Sequence, residues 1–200
     1  LFAQFNNNTT SPFSRFGLGD LQPYTFGRTT GMGGASIGSR SSQQINIANP
    51  ASYTSVDSLS FLFEMGISGK FSSYKNDLGN FSANDINFRY FAISFPVTRR
   101  IATSIGLTPW SDVGYDIRVN DSIPGSGNVN YLYYGDGSLS RAYFGLAVRP
   151  FRYVSVGANL FYFFGTLNRR SVVSFPDNME MYSIQRSEEI RLRDFGANVG

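Results

Sequence analysis

From Ser58 to Tyr74 the side chains alternate with a period of two. Leu59, Phe61, Phe63, Met65, Ile67 and Phe71 share one parity; Ser58, Ser60, Glu64, Gly66, Ser68 and Lys70 share the other, with Leu62 as the exception. Such alternation is the signature of a strand with one apolar and one polar face. The run outlasts the usual globular strand of about 5–6 residues, which favours a barrel wall over a sandwich. The apolar parity would face outward and the small or polar parity inward, the reverse of a soluble barrel with a packed core.

The rest of the C-terminal part repeats the pattern. Ile86 to Pro96 reads as a strand with Phe91, Ile93 and Phe95 outward, while Ile86, Phe88 and Tyr90 fall on the opposite parity, so a bulge is expected near Tyr90. Ile101 to about Val119 alternates until Pro109-Trp110. A tyrosine-rich strand carrying Tyr131, Tyr133 and Tyr134 recovers its alternation at Phe144, Leu146 and Val148, with Tyr143 on the inward side. Val154 to Thr166 alternates again, with Asn159 inward, and Met179 to Gly200 reads as a sixth strand. Polar loops are expected at 75 to 85, 120 to 128 and 176 to 179, and tight turns at 96 to 100 and 149 to 152. Long and short connections therefore alternate, as in up-and-down outer-membrane barrels with short periplasmic turns, and Phe95, Phe151 and Tyr153 stand where an aromatic girdle would lie. A soluble β-sandwich or a surface fibre of hairpins would share the period and the glycine-rich turns.

Composition narrows the chemistry. The chain has no Cys and no His, which removes disulfides, thiolate sites and the usual metal ligand and proton shuttle. The net charge of +3 is spread along the chain and leaves no nucleic-acid footprint. No apolar run reaches the length of a spanning helix, but strands of roughly 9–11 residues cross a bilayer when closed into a barrel. Leu1-Phe2-Ala3 resembles the tail of a secretory signal sequence, so residues 1–3 are read as its remnant.

Between that remnant and the first strand, residues 4–57 form one non-strand unit with short helical pieces allowed. Its centre, Gly31 to Ser55, is glycine-rich, then polar, then closed by Asn49-Pro50-Ala51. We read it as a plug inside the wall, with Gly31, Gly33, Gly34 and Ala35 as close-packing or hinge positions and Asn49, Pro50 and Ala51 handing over to the strand. A phosphate-binding loop is disfavoured, because no buried strand precedes the glycines.

Candidate polar chemistry is sparse. Glu64 and Lys70 lie on the inward parity, with Ser60 and Ser68, but six residues apart, too far for direct contact; cross-strand or water-mediated pairing is expected. Asp112 and Asp116 form a carboxylate pair without a nearby nucleophile or metal set, so solvation at a rim is expected. Glu188 and Glu189 beside Arg186, Arg191 and Arg193 read as a charged strand end. No catalytic residue, cofactor or metal is expected, and the chain is read as a non-enzyme.

Gly31-Met32-Gly33-Gly34-Ala35, then Asn49-Pro50-Ala51 and a long alternating strand, resembles the N-terminal hatch and first strand of FadL-type outer-membrane barrels, which carry fatty acids and other hydrophobic compounds. Ser11 to Asp20, Arg149-Pro150-Phe151 and Gly157-Ala158-Asn159 are similar to the Bacteroidota branch of that family. The resemblance implies an all-β, transmembrane, antiparallel up-and-down barrel of about fourteen strands with an N-terminal hatch, of which residues 58–200 would supply the first six or so. It implies a bacterial outer-membrane location and hatch-gated entry of a hydrophobic ligand, with Ser60, Glu64, Ser68, Tyr143 and Asn159 lining the lumen. Expected partners are outer-membrane lipid, a hydrophobic small molecule and other outer-membrane proteins. The alternative is a non-transporting barrel subunit of an outer-membrane machine such as the barrel-assembly complex; a surface β-structural protein is the third reading.

Overall fold

The computed structural model describes residues 9–76, 79–123, 127–176 and 182–200. The proposed signal remnant lies outside the described residues, as do the tips of the loops expected at 120 to 128 and 176 to 179. The chain opens with a 3₁₀ turn at Pro12–Arg15, a two-residue strand β1 (Asp20–Leu21), the short helix α1 (Gly27–Gly31) and a second 3₁₀ helix at Pro50–Ser55. Six long strands follow: β2 (Leu62–Asn76), β3 (Gly79–Pro96), β4 (Ile101–Ile123), β5 (Gly127–Phe151), β6 (Val154–Ser174) and β7 (Ile184–Val199).

All pairings are antiparallel, and the long strands lie in the order β2-β3-β4-β5-β6-β7. Consecutive strands are spatial neighbours, as tight hairpins require. The sheet is open: among the described residues no pairing joins β2 to β7. The all-β antiparallel up-and-down sheet is as expected, whereas a fourteen-stranded barrel with a hatch is not supported, since the described strands form an open sheet. No helix is long and apolar enough to cross a membrane, which says nothing about strands.

The strands are longer than the alternation alone indicates. Most of Lys75 to Asp85, expected as loop, is paired, with Lys70 opposite Asp85 and Lys75 opposite Asn80. Likewise Asn120 pairs with Asn130 and Ser122 with Asn128. Polar side chains hide a ladder from sequence reading without weakening it where both faces are wet, because the backbone hydrogen bonds form regardless.

The parity switch in β3 is resolved by a bulge: Gly66 faces Tyr90 while Ile67 faces Phe88, so Arg89 is the extra residue. A second irregularity, at Trp110, lies between the Pro109–Ser140 and Ser111–Leu139 pairs, where the alternation of β4 degrades.

Register turns single strands into rows. On the exposed face, Phe63, Ile93, Ile105, Phe144, Leu160 and Ala197 form one row across all six strands, and Met65, Phe91, Leu107, Ala142, Tyr162 and Phe195 the next. Leu146 and Val148 continue this apolar band toward the short turns, where Phe151 and Tyr153 are exposed. In the other direction the face turns polar on β5 to β7, at Ser138, Thr166 and Arg191. Strands of 23 and 25 residues in β4 and β5 far exceed the roughly 9–11 a bilayer needs, so their distal halves extend beyond the apolar band.

Candidate functional site

The opposite face is covered by the N-terminal segment. Its contact rows are Glu64, Ala92, Gly106, Tyr143, Phe161 and Gly196, then Leu62, Ser94, Ser104, Gly145, Asn159 and Asn198. Phe26, Ile45, Ile47 and Tyr53 from the segment pack into one core with Ala92, Ala102, Tyr143, Ala147 and Phe161. Ile45, Ile47 and Tyr53 are at most 2% exposed, and burying each such side chain is worth about 1.5–3 kcal/mol. Sequence reading did not single out these anchors. The signal lay in Ile45 and Ile47, two apolar residues one apart inside a polar run, and in Tyr53 just after Asn-Pro-Ala.

Polar groups lock the cover in place. The Tyr53 hydroxyl donates to Asn159 Oδ1 at 2.9 Å, and Asn159 Nδ2 donates to the Ile47 carbonyl at 2.8 Å. The Ile45 amide donates to Glu64 Oε1 at 2.5 Å. Gly27 N–H donates to the Tyr90 hydroxyl at 2.8 Å, and the Tyr90 ring stacks on Phe26 with centroids 4.3 Å apart. The Arg141 guanidinium lies over Tyr24, 4.1 Å from its ring centroid, and near Phe161. Burial pushes the Tyr24 hydroxyl up to about 12, against the opposing pull of Arg141, and pushes the Tyr53 hydroxyl well above the ordinary tyrosine range.

The sequence-derived residues therefore divide. Glu64, Tyr143 and Asn159 converge under the segment, and Tyr143 shares a 2.9 Å hydrogen bond with the Ser104 hydroxyl. Ser68 lines a side cavity, while Ser60 precedes β2 and donates to the Asp57 carbonyl at 2.8 Å. Pro50 and Ala51 open the buried 3₁₀ helix, and Asn49 Nδ2 donates to the Ile37 carbonyl at 2.7 Å. The glycines behave differently from expectation. A Cβ at Gly31 or Gly33 would meet nothing within 4 Å, one at Gly34 only Thr25 at 3.7 Å, and Ala35 is exposed. Gly33 and Gly34 instead have φ of 67° and 87°, which serves the turn after α1. Close packing belongs to glycines of the wall: a Cβ at Gly145 would lie 2.5 Å from the Tyr53 ring, and one at Gly157 2.6 Å from the Ala51 nitrogen.

A second part of the site is a seam. β3 and β4 pair only from Phe91–Pro96 to Ala102–Leu107. Beyond that, β1 takes over beside β4, with Asp20 opposite Asp112 and Leu21 opposite Ser111, and Gln22 N–H donates to the Trp110 carbonyl at 2.9 Å. The same stretch holds β2 and β3 through Thr10 Oγ1 to Asp85 at 2.6 Å, Arg89 to the Gln22 side chain at 2.6 Å, and Lys70 to Asp20 at 3.8 Å. Lys70 thus pairs with the N-terminal segment, not with Glu64. Asp112, expected at a solvated rim, is buried at 2% exposure and accepts from Gln22 Nε2 at 2.8 Å; Asp116 is exposed and pairs with Arg118. Of the charged end of β7, Glu189 pairs with Arg191.

A cavity of about 710 Å³ opens beside this seam, with Asp20, Gln22, Ser68, Lys70 and Arg89 among its walls. Phe13, Leu21, Ile67 and Tyr90 stand beside these polar groups, so the lining is mixed. Among the described residues no cluster of three or more acidic, His or Cys side chains could hold a metal ion.

A family model described as BamG matches residues 1–200, the whole chain. No curated protein and no solved structure matches it. The family match overturns the FadL-type resemblance, and with it the expectation of a hatch-gated path for hydrophobic compounds. Of the motifs behind that resemblance, Gly33 and Gly34 form the turn after α1 and Asn49-Pro50-Ala51 opens a buried 3₁₀ helix, local roles that are not particular to one family.

Proposed function

This chain belongs to the BamG family, and from that premise we propose that it is a non-catalytic subunit of the barrel-assembly machinery in the bacterial outer membrane, working through contacts with other outer-membrane proteins. The observation that carries this reading is the filled inner face. Residues 24 to 56 seal it with a buried core and hydrogen bonds across the sheet, as befits a rigid scaffold. Membrane embedding is supported by the apolar rows of the opposite face, which end at exposed aromatics beside the short turns. The distal halves of β4 to β7 then stand clear of the bilayer, with polar outer faces open to partner proteins.

The test is affinity purification of the tagged full-length protein from outer membranes in mild detergent, combined with its depletion in the cell. We expect the central insertase of the machinery to co-purify in fixed proportion, and unrelated outer-membrane barrels to decline on depletion. A protein that purifies alone, and whose depletion leaves those barrels at normal levels, would remove this reading.

A further inference from the structure

At the short-turn end, the β3–β4 and β5–β6 turns are joined directly: Arg149 N–H donates to the Arg100 carbonyl at 2.8 Å. A groove of about 510 Å³ lies beside them, lined by Leu59, Ser60, Phe61, Val97, Thr98 and Arg99 among others. Phe61 is 71% exposed and Leu59 fully so, an arrangement that costs free energy in water unless something apolar covers it. Phe61 lies one residue before β2 and is exposed, as Phe63 at the start of that strand is, so the groove adjoins the end of the apolar face of the sheet.

A smaller polar pocket of about 140 Å³ adjoins the groove and shares Ser58, Pro96, Thr98 and Arg99 with it. Arg100 and Arg149 also line this pocket, against the single acid Asp57. Arg149 is engaged by the Thr54 carbonyl, whereas Arg99 and Arg100 are in no ion pair among the described residues. An apolar trough thus leads into a net positive pocket with hydroxyls at the junction.

The geometry points to a binding site for one glycerophospholipid, its acyl chain along Leu59, Phe61 and Val97 and its phosphate at Arg99 and Arg100. Charge complementarity selects the phosphate, and continuity with the apolar band selects a membrane lipid. An acidic protein would match the arginines but leave Leu59, Phe61 and Val97 uncovered. The site rests on the membrane embedding proposed above, but not on membership of an assembly machine.

The test uses the full-length protein purified from outer membranes, delipidated and reconstituted with either phosphatidylglycerol or diacylglycerol, with retained lipid counted by native mass spectrometry. We expect retention of one phosphatidylglycerol and no diacylglycerol. Each arginine near a phosphate is worth about fivefold in retention, so Arg99→Gln with Arg100→Gln should release the lipid, Arg99→Lys should largely keep it, and Phe61→Gln should weaken it with the arginines intact. Equal retention of diacylglycerol, or unchanged retention in the double variant, overturns the site. A double variant that holds lipid normally but loses a co-purifying subunit also overturns it, in favour of an acidic protein partner. Resistance to sodium carbonate extraction from membranes is read in parallel: release of the wild type defeats the embedding itself, while resistance with no retained lipid defeats the lipid site alone.

Discussion

Tyr53 and Asn159 lie 106 positions apart in the chain and meet in a buried hydrogen bond of 2.9 Å, from which Asn159 passes a second bond to the Ile47 carbonyl. One wall side chain thus satisfies two points of the covering segment. Removing it takes the 2.9 Å partner from the buried Tyr53 hydroxyl, while the Ile47 carbonyl keeps the Tyr24 hydroxyl at 3.3 Å. Asn159→Leu should therefore cost about 1–3 kcal/mol, the penalty of one unsatisfied buried group. Tyr53→Phe should cost less, because the Asn159–Ile47 bond survives. The checks are the thermal unfolding midpoint, followed by loss of β-sheet circular dichroism, and trypsin cleavage at Arg40, an exposed residue of the segment.

The two classes of glycine should separate cleanly. Gly145→Ala forces a methyl against Tyr53 and Asn159 and should cost about 1–3 kcal/mol by overpacking. Gly33→Ala meets nothing but holds φ at 67°, and should cost about 1–2 kcal/mol through backbone strain. Gly31→Ala, within α1 and free of contacts, should be neutral or slightly stabilising. Thermal unfolding of the three variants side by side decides the ranking, and a destabilised Gly31→Ala would sink it.

Alkaline pH should loosen the cover. A hydroxyl whose value rises on folding stays protonated in the folded protein after its unfolded counterpart has ionised, so folding stability falls as pH rises. For Tyr24 that window runs from 10.0 to about 12. Proteolysis at Arg40 should increase across this range in wild type and rise less steeply in Tyr24→Phe, with Tyr53, whose hydroxyl is also held protonated, contributing to the remaining slope.

The height of the apolar band can be measured by charge placement. Leu146→Arg on the exposed face should cost about 2–4 kcal/mol in folding into bilayers, and Ser138→Arg on the same strand and parity about 0–1 kcal/mol. Equal penalties at the two positions would show that the membrane boundary does not fall between them.

Two features of the fold were legible from local pattern. Alternation marked the strand cores, and the clash of parities at Phe88 and Phe91 placed the bulge, because a residue of the wrong face can be accommodated only by an extra residue in the ladder. Glu64, Tyr143 and Asn159 were placed on the covered face for the same reason. Ser60 was not, because it precedes the first ladder pair at Leu62 and obeys the geometry of a turn.

What the sequence determined by itself is therefore the period: which residues face the exposed apolar side, which face the segment, and where the short turns fall, since side-chain alternation is a property of each strand alone. What only the tertiary structure decided is which residues meet across distance. The rows joining six strands, the seam where β1 replaces β3 beside β4, and the Tyr53–Asn159 lock all depend on register. Register is set by how the whole sheet and its cover bury their surfaces together, and no local stretch carries that information.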